Sequence, residues 1–238
     1  MKSLKTTLNN NLIILAGGFG TRLQSVSNGI PKALMPIGDS VYLDLLLEKV
    51  FDYDIAHVYL SLHYKSELFQ DYVNNSSYKN KLTCIIEPEP LGTGGAINYL
   101  IQNTTISDPF FVLNGDTLSN TDLDLMMVAF KQSDYNAMIG ISHVVGSSRY
   151  GMAKFEGDRL VEFNEKVAAA GWINNGHYIL KKNLFKNHSG KFSIEYDMFK
   201  KLTGEKRLGV FPVENDDFVD MGIPDDYKKL CNNYMEKN

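Results

Sequence analysis

The chain has 238 residues, 44% hydrophobic and 22% charged, which suits one compact α/β unit and excludes a disordered chain. Lys and Arg number 24 against 28 Asp and Glu, a formal net charge of -4, so the bulk composition lacks the basic footprint of a general nucleic-acid binder. The two cysteines, Cys84 and Cys231, and the five histidines show no zinc or other metal-ligand spacing, so free thiols and no transition-metal site are expected.

In chain order, the polar N-terminal stretch lacks the apolar core of a signal peptide. No later run approaches the ~20 apolar residues of a membrane span, so a cytoplasmic protein without membrane contact is expected. A continuous apolar run at 11–16 predicts a buried strand, followed at once by GGFG. A helix is expected over 43–50, a strand over 57–62, a helix over 65–73 and a strand over 82–87. A glycine-rich turn, a helix over 95–102 and a strand over 109–113 follow. This alternation implies parallel strands joined by right-handed crossovers.

Beyond about residue 136 the texture changes. Strands are expected at 136–144, 151–156, 159–163 and 172–180, with helices near 194–202 and 224–234. The pattern predicts a nucleotide-binding half (11–135) and a second half (136–238) with an antiparallel extension for another substrate, both sharing one domain and one core.

The segment 15–23 reads LAGGFGTRL, directly after the first strand. Gly17, Gly18 and Gly20 lack a Cβ, so backbone N–H groups can turn toward a phosphate and let it approach. Arg22 adds a charge-assisted donor. A P-loop would need Gly-Lys-Ser/Thr, and a dinucleotide fingerprint would need a third glycine where Leu23 stands. Lys32 follows in a stretch that Pro31 and Pro36 keep extended, so two cations join a loop that favours anions.

LAGGFGTRL followed by PKALMPI resembles the signature of the sugar-1-phosphate nucleotidylyltransferases. The resemblance continues in order through EPLGTGGA (89–96), LNGDT (113–117), FNEK (163–166), INNGHY (173–178) and VDMGIPD (219–225). It implies a Rossmann-like mixed, mainly parallel sheet flanked by helices, with a small antiparallel extension and no C-terminal repeat domain. The reaction implied is attack of a sugar 1-phosphate oxygen on the α-phosphorus of a nucleoside triphosphate. A phosphate monoester is already largely dianionic near neutral pH, so no serine, cysteine or histidine nucleophile is needed.

By resemblance, Arg22, Lys32 and Asp116 are the catalytic candidates, and Asp116 and Asp220 hold Mg2+, a hard cation suited to carboxylate and phosphate oxygens. Leu15, Ala16, Gly17, Gly18, Gly20, Thr21, Arg22, Glu87, Gly92, Thr93 and Asn114 would line the nucleotide. Lys166 would meet the sugar phosphate and Glu165, Asn175 and Gly176 the sugar, with Tyr150 and Gly151 forming a turn beside it. The family often has proline after the lysine, where this chain has Val167. Glu195 or Asp197 can reach the sugar, but pairing of either acid with its own helix N-terminus is the favoured reading.

The acidic Glu87 stands where uridylyl- and thymidylyltransferases place a glutamine. A carboxylate can take the adjacent N1–H and N2–H2 donors of guanine together, so GTP is favoured over UTP. Among short guanylyltransferases the chain resembles most those acting on D-glycero-α-D-manno-heptose 1-phosphate. Mannose 1-phosphate, and UTP with an amino-sugar 1-phosphate, are the alternatives. A non-catalytic nucleotide-sugar sensor is disfavoured because Arg22, Lys32, Asp116, Lys166 and Asp220 are all present. Exposed edges expected for the C-terminal strands leave room for a homodimer.

Overall fold

The computed structural model describes residues 10–18, 27, 29–145, 151–164, 170–214 and 216–237. In β1 (Asn10–Leu15), Leu12 and Ile14 enter one core layer and Ile13 the other, because side chains alternate across a strand. A strand that is apolar on both faces belongs inside a sheet covered on both sides. The chain continues through a ribbon of β2 (Pro36–Ile37) and β3 (Ser40–Val41), then α1 (Tyr42–Phe51), β4 (Ile55–Leu62) and α2 (Ser66–Asn75). Next come β5 (Leu82–Ile86), α3 (Gly92–Asn103), β6 (Phe110–Asn114), β7 (Thr117–Leu118) and α4 (Leu123–Lys131). The second half holds β8 (Ala137–Val145), β9 (Met152–Glu156), β10 (Arg159–Asn164) and β11 (Ala170–Leu180). A turn of π-helix (Ile194–Phe199) then leads into α5 (Lys200–Gly204), β12 (Leu208–Val213), β13 (Val219–Asp220) and α6 (Pro224–Lys237).

Nine strands form one sheet in the order β5-β4-β1-β6-β11-β8-β12-β10-β9. β5, β4, β1 and β6 are parallel. β11 runs antiparallel to both β6 and β8, so the antiparallel part continues the same sheet. From β1 the chain moves outward to β4 and β5, then returns to β6 on the other side of β1. That reversal opens a crevice at the carboxyl ends of β1, β4 and β6, where open α/β sheets bind their ligands. The sequence pattern did not predict α4 and β12, and β12 pairs parallel with β8 in the middle of the second half.

β11 bulges. Asn174 pairs with Ile141 and Tyr178 with Ile139, so Asn175, Gly176 and His177 together face Gly140. Gly176 sits at φ +83°, and a Cβ there would come within 2.5 Å of Thr117 Oγ1, so only glycine serves. The bulge turns Asn175 inward, where its amide donates to Ser119 Oγ (3.1 Å), Thr121 Oγ1 (3.0 Å) and Ser142 Oγ (3.0 Å). The Ser119 hydroxyl donates to Asp216 Oδ2 at 2.6 Å, the Ser142 hydroxyl donates to the same oxygen, and the Asn120 N–H reaches Oδ1 at 2.6 Å. Asp216 therefore ties the segment just before β13 to the one just after β7.

His177 is buried beside this network, and burial pushes its imidazole down to about 4 against an ordinary value of 6.5. Between those values the unfolded chain binds more protons than the folded one. The associated stability, about 3 kcal/mol, is therefore complete above pH 6.5 and lost as the pH falls toward 4. Denaturant unfolding at pH 7 and pH 5 is expected to show this loss, and His177→Gln to flatten it; an equally steep acid dependence in the variant would contradict the assignment.

Both cysteines are free, and burial pushes the Cys84 thiol up to about 11, which makes it a poor nucleophile. Among the described residues no helix is long and apolar enough to cross a membrane.

Candidate active site

A cavity of about 350 Å³ occupies the crevice at the carboxyl ends of β1, β4 and β6. Leu15, Ala16, Gly17 and Gly18 line it from the end of β1, Asn114 and Asp116 from the end of β6, and Gly92 and Thr93 from the start of α3. The loop from β1 is held by Ala16 N–H on the Ser61 carbonyl (2.9 Å), and the Gly115 N–H is held on the Leu15 carbonyl (2.9 Å). These backbone bonds leave the Gly17–Gly18 edge facing the cavity.

The charged centre lies at one end. Lys32 Nζ donates to Asp116 Oδ2 at 2.8 Å. β13 pairs antiparallel with β7 so that Asp220 stands opposite Thr117, next to Asp116, and the Met221 N–H bonds the Asp116 carbonyl at 2.8 Å. Asp220 Oδ1 accepts the Gly222 N–H at 2.6 Å. A Cβ on Gly222 would lie 2.7 Å from Asp220 Oδ1 and 3.1 Å from Lys32 Nζ, so the glycine lets all three charged groups converge. Asp116, in the turn between β6 and β7, is partly exposed and Asp220, on β13, is buried; two carboxylates on adjoining segments fit a hard divalent cation that completes its shell with phosphate oxygens and waters. Among the described residues there is no group of three or more His, Cys, Asp or Glu that would enclose a metal by itself. The hydroxyl of Tyr42 is buried without a hydrogen-bond partner among the described residues.

Glu87 lies buried at the opposite end. Oε1 accepts from the Ser61 hydroxyl (3.3 Å) and Oε2 from the Leu91 N–H (3.1 Å), while burial raises its carboxyl above the usual range and those hydrogen bonds partly offset the rise. Each oxygen keeps a lone pair for a further donor. Gly92 sits at φ +71°, and a Cβ there would meet the Phe192 carbonyl at 2.7 Å, so the chain 190–193 lies directly on the start of α3. The Phe192 carbonyl takes the Gly94 N–H (3.0 Å) and the Gly95 N–H (3.3 Å), two donors that a helix start would otherwise leave open. The Thr93 hydroxyl donates to Glu195 Oε2 (2.7 Å) and accepts the Ile194 N–H (3.0 Å).

Ser61, His63 and Glu195 also line the cavity, and the sequence reading passed over the first two. Ser61 and His63 stand at the carboxyl end of β4, a position that could have flagged them. Glu195 faces the cavity, whereas Asp197 caps its own turn by accepting the Ser193 N–H at 2.8 Å. Asn175 is a correction: it is fully buried with its amide bound inside the protein, so its side chain cannot meet a sugar. Gly176 is buried against Asn114 and Thr117, and Gly151 is exposed ahead of β9; neither lines the cavity. Gly20, Thr21, Arg22, Tyr150, Glu165 and Lys166 lie outside the described residues.

A family model described as nucleotidyl transferase matches residues 11–237. The chain belongs to the nucleotidyl transferase family. It is 36% identical to D-glycero-alpha-D-manno-heptose 1-phosphate guanylyltransferase of Campylobacter jejuni, over 90% of this chain and 96% of that one. A putative mannose-1-phosphate guanyltransferase of Sulfolobus acidocaldarius is 29% identical over 92% of this chain but 61% of its own length. The crystal structure of HddC from Yersinia pseudotuberculosis complexed with GMP-PN superimposes with a TM-score of 0.82 at 34% identity, covering 94% of this chain and 99% of that one. The nucleotidyl transferase fold is thus that of the nucleotide-diphospho-sugar transferases, with a nucleoside triphosphate and a sugar phosphate as substrates. Enzymes of this kind generally use a divalent metal.

Proposed function

We propose that the protein transfers GMP from GTP to D-glycero-α-D-manno-heptose 1-phosphate, giving GDP-heptose and pyrophosphate. The observation that carries this reading is the Lys32–Asp116 pair in the same cavity as the glycine edge at the end of β1, with Asp220 on the strand beside Asp116. The likeness over nearly full length to the Campylobacter heptose enzyme favours heptose over mannose, since the mannose relative is much longer. In this reading the half 11–135 takes the nucleotide and the half 136–238 the sugar phosphate, in the cytoplasm, where both substrates are made.

The sugar phosphate brings its own nucleophilic oxygen. It forms a bond to the α-phosphorus of GTP as the bond from that phosphorus to the bridging oxygen breaks and pyrophosphate departs. The protein's task is to align two anions that repel one another and to oppose the charge that builds on the transferring group. Asp116 and Asp220 would hold Mg2+, which supplies charge neutralisation there. Lys32 offers three donors, one of them on Asp116, and Arg22 is the second cation assigned to the phosphates. Glu87 would accept from the guanine N1–H and N2–H2, with Gly17 and Gly18 under the ribose and phosphates.

A screen of pyrophosphate release tests the whole reading, with GTP, UTP, ATP, CTP and dTTP against heptose, mannose, glucose and N-acetylated sugar 1-phosphates, with and without Mg2+. GTP with heptose 1-phosphate and Mg2+ is the expected best pair; preference for UTP or for a metal-free assay would overturn it. Glu87→Gln is expected to lower kcat/KM for GTP by about 10- to 100-fold, the range of a lost bidentate base contact, and to narrow the gap to UTP. A variant with the parent's base preference would leave Glu87 as a residue that only holds Leu91 in place.

A further inference from the structure

Read from the sequence alone, Glu195 or Asp197 serves the N-terminus of its own helical turn. The hydrogen bonds give that task to the neighbours of Glu195. The Glu195 and Tyr196 N–H groups both go to Ser193 Oγ at 3.2 Å, and the Ser193 N–H goes to Asp197 Oδ2 at 2.8 Å. Among the described residues the Glu195 carboxylate takes two hydroxyls instead, Thr93 Oγ1 and Ser193 Oγ, each donating to Oε2 at 2.7 Å. Backbone N–H groups already occupy both hydroxyl oxygens, Ile194 on Thr93 and the two named above on Ser193, so the hydroxyl protons are committed to the carboxylate.

Both donors fall on one oxygen. Held there from α3 and from its own turn, the carboxylate is fixed in orientation, and Oε1 is the polar atom that Glu195 offers to the cavity it shares with Gly17, Lys32, Glu87 and Asp116. Among the described residues lining that cavity, Glu195 alone comes from the half 136–238; all the others lie between Leu15 and Asp116. An ionised carboxylate accepts and cannot donate, and it repels phosphate. Its partner is therefore a neutral donor. The guanine N–H groups are assigned to Glu87 at the other wall, which leaves the hydroxyls of the substrates.

We propose that Glu195 is a specificity-determining residue whose Oε1 accepts a hydroxyl of a bound substrate. The inference rests on the reading of the cavity as the site of GTP and a sugar 1-phosphate. Two sources carry the same chemistry, the ribose of the nucleotide and the ring of the sugar to which it is transferred. Either forms an O–H···O⁻ bond, shorter and stronger than a bond between neutral groups. The bond is selective because its acceptor is preorganised: Thr93 holds Oε2 from the start of α3 and Ser193 holds it from the turn itself, so a substrate without the hydroxyl leaves a fixed charge unmatched.

Glu195→Gln keeps the length of the side chain and an oxygen for the Thr93 and Ser193 hydroxyls, whereas Glu195→Ala removes every acceptor. The kcat/KM for pyrophosphate release by the parent and both variants is measured with GTP, 2′-deoxy-GTP and 3′-deoxy-GTP. A second series uses heptose 1-phosphate and its analogues lacking one hydroxyl at a time, with thermal melts alongside. One deoxy analogue is expected to cost the parent about 10- to 100-fold, the range for a hydrogen bond to a charged group. Glu195→Ala is expected to lose a similar factor with the full substrate and to treat that analogue and the full substrate alike within about threefold, as groups in direct contact do. A coupling found in the GTP series assigns the ribose, and one found in the second series assigns the transferred sugar. Glu195→Gln is expected to melt with the parent yet stay about fivefold below it in kcat/KM, since a neutral acceptor bonds more weakly; a role confined to tying the turn to α3 would leave activity restored. Deoxy penalties equal in the parent and Glu195→Ala throughout both series, or full activity in Glu195→Gln, would overturn the inference and leave GMP transfer standing. A parent that releases no pyrophosphate with GTP and heptose 1-phosphate would bring down both.

Discussion

Asp116→Asn is expected to reduce turnover by roughly 10²- to 10³-fold, the effect of removing one preorganised charge from a transition-state clamp, while the melting temperature stays within a few degrees of the parent's. The two halves of that expectation have separate structural grounds. The fold uses the Asp116 backbone, whose carbonyl accepts the Met221 N–H at 2.8 Å, and asparagine keeps that bond and the side-chain shape. The carboxylate itself makes one described ion pair, with Lys32, and the two side chains are 36% and 19% exposed. A pair so open to water is worth about 0–1 kcal/mol. The loss should fall on kcat rather than on KM for GTP, because the charge matters most when the α-phosphorus is crowded by two oxygens. Steady-state pyrophosphate release with saturating GTP and Mg2+, beside a thermal melt, checks both halves. Turnover within threefold of the parent would remove Asp116 from the chemistry, and a large fall in melting temperature would make it a structural residue.

Much of this site could be read from the chain because its parts are local and follow strands. Gly17 and Gly18 come directly after the apolar run of β1, and Asp116 comes two residues after the end of β6, so the α/β alternation was enough to bring them to one crevice. Asp220 required the resemblance as well, since β13 is two residues long and has no periodicity of its own. What escaped was set by partners distant in the sequence. In β12, LGVFPV contains a glycine and a proline that argue against a strand. The proline is tolerated because β10 pairs with β12 only at Gly209, leaving that edge of β12 without a ladder at Pro212. α4 is a nine-residue apolar stretch whose helical state is announced mainly by its cap, Asp122 Oδ1 accepting the Leu125 N–H at 2.9 Å. Asn175 misled for the same reason. An Asn-Gly pair ordinarily marks an exposed turn, and only the hydroxyls of Ser119, Thr121 and Ser142, 33 to 56 residues away in sequence, make it a buried bulge.

That buried bulge carries the largest stability effect expected in the molecule. Asn175→Ala is expected to destabilise the protein by about 2–4 kcal/mol, because it strips a fully buried amide from three hydroxyl acceptors and the His177 N–H and leaves a cavity behind. The neighbours cannot compensate simply. The Ser142 hydroxyl already gives its proton to Asp216, so without Asn175 its oxygen keeps lone pairs with no donor among the described residues, while Ser119 Oγ is left with the Thr121 N–H at 3.2 Å. Gly140 has no side chain to fill the gap, since a Cβ there would lie 2.5 Å from Asn175 Oδ1 in the parent structure. Gly140→Ala should therefore be harmful in the parent and far less so when combined with Asn175→Ala, where that oxygen is gone, a non-additivity expected of groups in direct contact. Guanidinium unfolding of the two single variants and the double variant measures both quantities. Additive losses, or an Asn175→Ala cost below about 1 kcal/mol, would mean that water replaces the amide and that the network contributes little to stability. The same variants carry a functional reading, because Asp216 lies only three residues before the start of β13 and the network ties that approach to the segment after β7. Loosening it should lower the affinity for Mn2+ even where the protein remains folded, tying the stability of the bulge to the placement of Asp220.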